Sequence, residues 1–121
     1  MTHRQSLGRR GEALARRHLE SRGYVVVETN YRTRFGEIDL VTEHDGKLVF
    51  VEVRTTSTRK FGSPEESITS KKQERLIRAA RHYLGASDIA DRDWRVDVVA
   101  VEFGPGGRVD RLDIVEDALE T

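Results

Sequence analysis

Apolar positions change period several times along the chain, and each change predicts an element. Leu7, Gly11, Leu14, Ala15, His18 and Leu19 fall on one arc of a helical wheel, while Arg9, Arg10, Arg16 and Arg17 lie off it. This predicts an amphipathic helix from Leu7 to about Arg22, stopped by Gly23. Tyr24 to Glu28 is a short β-branched run that predicts a strand, with a turn region at Asn30 behind it. Two further runs of strand-type residues flank Asp45-Gly46, a dipeptide that between such runs predicts a two-residue hairpin. Thr55 to Ser67 has Thr, Ser, Gly62 and Pro64 without periodicity and reads as a loop. A second helix starts at Thr69 or Ser70 and carries Leu76, Ile77, Ala80, Tyr83 and Leu84 on one stripe as far as Gly85.

A polar connection from Asp88 to Asp93 leads to a clear strand, Trp94 to Phe103, with Val96, Val98 and Ala100 on one side. The Gly104-Pro105-Gly106-Gly107 turn cluster and an edge-like strand, Val109 to Val115, precede a short acidic tail. The order αβββαββ predicts an α/β/α sandwich, a mixed central sheet flanked by helices. With 121 residues and 36% hydrophobic content, residues 1–121 make one domain with a real core.

The hairpin brings the chemistry into view. If Asp45-Gly46 forms the turn, His44 pairs with Lys47, Val41 with Phe50, and Asp39 falls opposite Glu52, with Cβ atoms roughly 4.5–5.5 Å apart. On this register the other face of the two strands reads Ile38, Leu40, Val49, Val51 and Val53. Like charges directly opposite are destabilising, so a cation is expected between them. Cysteine is absent, which excludes disulfides and thiolate chemistry and leaves oxygen or imidazole as ligands. The histidines, His3, His18, His44 and His82, have no metal-ligand spacing. Mg²⁺ or Mn²⁺, held by one or two carboxylates together with substrate phosphate, fits this pair. The Val53 backbone carbonyl adds a candidate ligand. Such an ion lowers the pKa of a bound water and neutralises charge on a scissile phosphate, which points to phosphodiester hydrolysis.

Charge distribution agrees. Residues 1–81 hold 17 of the 21 Lys and Arg but 11 of the 21 Asp and Glu, a balance of +6 against −6 for residues 82–121. The split predicts a polyanion-facing side, with a merely solvated surface as the plain alternative. No run reaches the ~18 apolar residues of a membrane span, and Met1 to Gln5 lacks the apolar stretch of a signal peptide. The expected location is therefore cytoplasmic, with no membrane partner.

Three more residues have two readings each. Glu12, at the margin of the first helix's apolar arc, is half-buried on this reading; it either pairs with Arg9 or Arg16 or adds a third carboxylate to the metal. Arg54 projects on the Glu52 face, where it clamps phosphate or pairs with Glu37 opposite. Gln73 either completes a Ser70-x-x-Gln73 capping box or, with Lys72, faces phosphate or water. Lys71 and Arg75 line the outer face of that helix, in reach of a nucleic-acid backbone.

Gly36-Glu37-Ile38-Asp39-Leu40 and Phe50-Val51-Glu52-Val53-Arg54 resemble the YraN family of small bacterial endonuclease-like proteins, a branch of the PD-(D/E)XK nuclease superfamily. Leu7 to Glu12 with Ala15, Asn30-Tyr31-Arg32, Lys72-Gln73 and Arg95 to Val101 extend the resemblance over nearly the whole chain. It implies a restriction-endonuclease-like core similar to archaeal Holliday junction resolvases. The superfamily's metal-binding acids then fall on Asp39 and Glu52, its helical acid on Glu12, and its lysine position on Arg54. Arginine there departs from the pattern, because it positions water but hardly deprotonates it. Ile38 also stands where the motif's proline would. The expectation is a Mg²⁺-dependent endonuclease on DNA, branched or structured DNA included. Its catalytic set is Glu12, Asp39, Glu52, Arg54 and Gln73, and its DNA contacts are Arg9, Arg34, Arg59, Lys60, Lys71, Lys72 and Arg75. A non-catalytic nucleic-acid-binding or adaptor protein that keeps the nuclease fold is the alternative. Two edge strands, at Tyr24 and at Val109, make a homodimer a further expectation.

Overall fold

The computed structural model describes residues 2–89 and 91–121; the expected 88–93 connection includes Ala90, which lies outside the described residues. The elements run in the order helix α1 (His3–Ser21), strands β1 (Val25–Arg32), β2 (Glu37–His44) and β3 (Lys47–Thr56), helix α2 (Ser70–Ala86), and strands β4 (Trp94–Phe103) and β5 (Val109–Val115). They form one five-stranded sheet in the order β1-β2-β3-β4-β5. Short connections make the β1–β2, β2–β3 and β4–β5 pairs antiparallel, whereas β3 and β4 are parallel because α2 forms the crossover between them. The α/β class and mixed sheet inferred from the sequence are those observed.

Alternation splits the core into two layers. Leu48 and Phe50 of β3 and Val96 and Val98 of β4 pack with Leu76, Ala79, Ala80 and Leu84 of α2. Val49, Val51, Val99, Val101 and Phe103 face the other way, against Ala15 and Leu19 of α1. Each fully buried Val, Leu or Phe contributes about 1.5–3 kcal/mol. The acidic tail is tied in as well: Leu119 is buried in the α2 layer and the Ala118 amide donates to the Val96 carbonyl.

Several boundaries differ from expectation. Helix α1 begins four residues before Leu7, because Thr2 and Gln5 form a reciprocal capping box. Asn30 does not turn the chain; it takes a φ of 51° inside β1, which continues to Arg32 beside β2. Asparagine tolerates that left-handed conformation, and a separate bulge lies earlier in the strand, between Val26 and Glu28. Thr55 and Thr56 belong to β3, paired with Val101 and Glu102. The cap of α2 is Thr69, whose hydroxyl accepts the Lys72 amide, so the Ser70-x-x-Gln73 capping box does not form.

Candidate metal and nucleic-acid site

The hairpin forms as its turn chemistry predicts. Asp45 and Gly46 take positive φ values of 51° and 76°, as a two-residue primed turn requires, and His44 pairs with Lys47 and Val41 with Phe50. The ladder then stops at Leu40–Val51 instead of reaching Asp39 and Glu52. Beyond that point β2 stays paired with β1, and β3 stays paired with β4. The two strands therefore part, and the carboxylates stand in the gap.

Asp39 itself closes the gap. Its Oδ2 accepts the Val53 backbone N–H at 2.8 Å, so a side chain takes a donor that the ladder would otherwise use. Alternation breaks here too: Ile38 is buried in the α2 layer although Leu40, two residues on, is buried in the α1 layer. The expectation that Ile38 and Leu40 share a face is corrected accordingly. In a strand pair the N–H and C=O of one residue point to the same side, so the Val53 carbonyl is directed toward β2 as well.

Glu52 is half-buried, and its carboxyl lies within hydrogen-bond reach of Asp39. Burial first, then that carboxyl, push Glu52 up to about 9, with Arg54 and Lys72 opposing. Two carboxyls in this position share a proton or a cation. Their oxygens, with the Val53 carbonyl, are the hard donors that suit a divalent cation keeping its own waters.

Glu12 stands across a cleft from Asp39, lined also by Arg9, Arg16, Asn30 and Leu40. The residue is exposed rather than half-buried, yet its carboxyl is raised by partial desolvation and by the charges of Asp39 and Glu37, against Arg9. Among the described residues it forms no ion pair within 4.0 Å; Arg16 turns instead to Glu20, at 3.6 Å. Nor does any group of three or more His, Cys, Asp and Glu side chains among the described residues form a metal cage. A pair of carboxylates, with Glu12 lining the same cleft as Asp39, is the arrangement present.

Arg54 does not pair with Glu37, which lies against Arg32 at 3.6 Å; its Nε donates to Ser67 Oγ at 2.9 Å. This bond orients the guanidinium beside Glu52 and leaves its terminal nitrogens free of that contact. Gln73 donates from Nε2 to the Ile68 carbonyl at 3.1 Å, so its amide group fixes the approach to α2, while Lys72 is near enough to favour ionised Glu52. Arg75 packs beside Gly36 at the start of β2, and Lys71 is exposed. Arg34 lies 4.9 Å over the Phe35 ring, and Lys60 lies 5.6 Å over Phe61. Arg59 is committed to Glu102 at 2.6 Å. Arg9, Arg54 and Lys72 are thus gathered near the acids, Arg75 lies beside Gly36, and Arg59 is held by an acid of its own.

Two ionic networks have no local sequence signal. Arg111 makes a fork to both oxygens of Glu65, at 2.8 and 2.7 Å, and reaches Glu102 at 3.1 Å and Asp113 at 2.7 Å. Those bonds hold Glu65 down to about 2 and fasten the 57–67 segment to the sheet. On the α1 side, fully buried Asp97 accepts from Tyr24 Oη at 2.6 Å, Arg95 Nε at 2.9 Å and the Asp117 amide at 2.9 Å. Tyr24 in turn stacks on His44 at 3.9 Å. No buried side-chain polar atom among the described residues lacks a partner, which makes this a structural lock.

Fold and site together define an α/β protein with a two-carboxylate cleft where two strands of a mixed sheet part. Residues 11–101 match the model of the Uncharacterised protein family UPF0102, and the chain belongs to that family. It is 43% identical over 119 residues to a UPF0102 protein of Moorella thermoacetica, covering 98% of each chain. A UPF0102 protein of Roseiflexus castenholzii is 48% identical over 106 residues, 86% of each chain. That of Symbiobacterium thermophilum is 43% identical over 113 residues, 93% of this chain and 95% of its own.

Proposed function

We propose that this protein is a metal-dependent endonuclease of the PD-(D/E)XK type that hydrolyses phosphodiester bonds in DNA, including branched or structured DNA, in the cytoplasm. The observation that carries the reading is the Asp39–Glu52 pair, held together in the strand gap at the cost of a strongly raised Glu52 carboxyl. No helix among the described residues is long and apolar enough to cross a membrane.

Asp39, Glu52 and the Val53 carbonyl would hold Mg²⁺ or Mn²⁺, with Glu12 in the same cleft as a further carboxylate. When bound, that ion supplies charge neutralisation at the scissile phosphate and a water of lowered pKa. Arg54, steadied by Ser67, orients the phosphate with its terminal nitrogens and stays protonated throughout. Lys72, Arg9 and Arg75 add positive charge on the approach. Gln73 positions the start of α2 through Ile68.

The test is incubation of the pure protein with linear, flapped and four-way DNA in Mg²⁺ or Mn²⁺, beside Asp39→Ala. Cleavage by the wild type and none by the variant is the expected result. Equal cleavage by both, or none by either, refutes the proposal.

Arg54 supports a second reading, a non-catalytic DNA-binding or adaptor protein with the same fold, since arginine cannot serve as the base. Calorimetric titration with Mn²⁺ separates the two. Binding that Glu52→Gln abolishes supports the enzyme, and absence of Glu52-dependent binding supports the adaptor.

A further inference from the structure

Phe61 is 83% exposed, against 61% and 46% for Val25 and Val27, the other exposed large hydrophobic side chains described. A whole aromatic ring left in water forgoes the free energy of its burial, so its place needs a reason. Looseness is not the reason, because the segment around it is tied down on both sides. Arg59 is bonded to buried Glu102 at 2.6 Å, and Ser63 and Glu66 cap each other, with Ser63 N donating to Glu66 Oε1 at 3.0 Å. Glu65 is gripped by Arg111, and Ser67 receives Arg54. The segment that displays Phe61 therefore leaves from the strand that bears Glu52 and Arg54 and returns to Arg54.

The ring's surroundings select its ligand. The Lys60 ammonium lies 5.6 Å from the ring centroid, so the exposed aromatic face comes with a positive charge suited to phosphate. A flat ring beside a cation matches a nucleobase beside its phosphate, and stacking of that kind is indifferent to base identity. Bases within a duplex are already stacked and offer no free face, whereas unpaired bases do. Phe61 comes five residues after the end of β3 at Thr56, on the segment that leaves the strand bearing Glu52.

We propose that Phe61 is a base-stacking residue that directs the Asp39–Glu52 site to DNA with unpaired nucleotides near the scissile phosphate. This rests on the endonuclease reading for the word "scissile" but not for the binding itself, and the experiment separates the two. Affinity is measured by fluorescence anisotropy, with a chelator present, for a labelled single-stranded oligonucleotide and for a blunt duplex of the same sequence. Phe61→Ala should weaken single-strand binding roughly 5- to 150-fold, the usual range for loss of one stacking contact, and leave duplex binding within about twofold. Phe61→Trp should retain single-strand binding. Equal loss on both DNAs refutes the proposal, as does no change on either, which would assign the ring to a protein partner. If Phe61-dependent binding appears but no DNA is cut in Mg²⁺ or Mn²⁺, the stacking role stands and the endonuclease reading falls. If DNA is cut and binding ignores Phe61, the reverse holds.

Discussion

Replacing Glu52 by glutamine tests the carboxylate pair through stability instead of turnover. In the metal-free fold, burial and then Asp39 raise the Glu52 carboxyl from 4.5 to about 9. The unfolded chain ionises the same group near its ordinary value, so between these two pH values the folded protein keeps a proton that the unfolded chain has released. A group raised in this way supports the fold fully below about pH 4.5, and that support is lost as pH climbs toward 9. The slope is about 1.4 kcal/mol per pH unit, which sets a ceiling of about 5 kcal/mol at pH 8. Proton sharing with Asp39 and solvent at a half-buried site reduce the expected value to on the order of 2–4 kcal/mol. Glutamine keeps the shape and carries no titrating proton. Urea unfolding in a chelator should therefore show the variant gaining about 2–4 kcal/mol over wild type between pH 5 and pH 8. Mg²⁺ at ~100 times its Kd should restore about 2.7 kcal/mol to the wild type at pH 8 and little to the variant. Parallel pH profiles for the two proteins in chelator would refute the coupling of Glu52 to Asp39.

Three further outcomes follow from the packing and the edges. Gly11 is buried where a Cβ would collide with the Thr55 side chain, so Gly11→Ala should cost about 1–3 kcal/mol by thermal or urea unfolding, and adding Thr55→Ala should recover part of it. Arg111→Ala strands Glu65 and lightens the hold on Glu102; it should cost about 2–3 kcal/mol near neutral pH and speed amide exchange across residues 57–67. Because Glu65 is lowered to about 2, its support is present above pH 4.5 and lost as pH falls toward 2, so the variant should show a flatter acid limb. Strands β1 and β5 are the sheet edges, and Val25 and Val27 leave apolar surface on β1. A dimer through β1 should appear by light scattering at high concentration and be lost in Val25→Lys; a one-chain mass for the wild type excludes it.

What the sequence determined on its own was local. Asp45-Gly46 sets the hairpin register through two backbone conformations that few other residues accept, and that register alone brings Asp39 and Glu52 to one end of two neighbouring strands. The apolar periods likewise fix the helices, because a 3.6-residue stripe can bury itself in only one way. Thr2-x-x-Gln5 was a legible signal for the true start of α1, and Thr69 for that of α2.

Only the tertiary structure decided how the acids meet. The Asp39 carboxylate takes the Val53 amide, breaks the alternation at Ile38 and parts β2 from β3, a consequence of packing β2 between β1 and both core layers that no two-residue period encodes. Arg111 and Glu65 are 46 positions apart, and Tyr24 and Asp97 73 apart, so their union depends on sheet order and twist rather than on neighbouring residues. Arg54 shows both halves of the lesson. Its side of the strand follows from its position two residues after Glu52, but its partner, Ser67 instead of Glu37, was chosen by a loop that the Arg111 network holds in place.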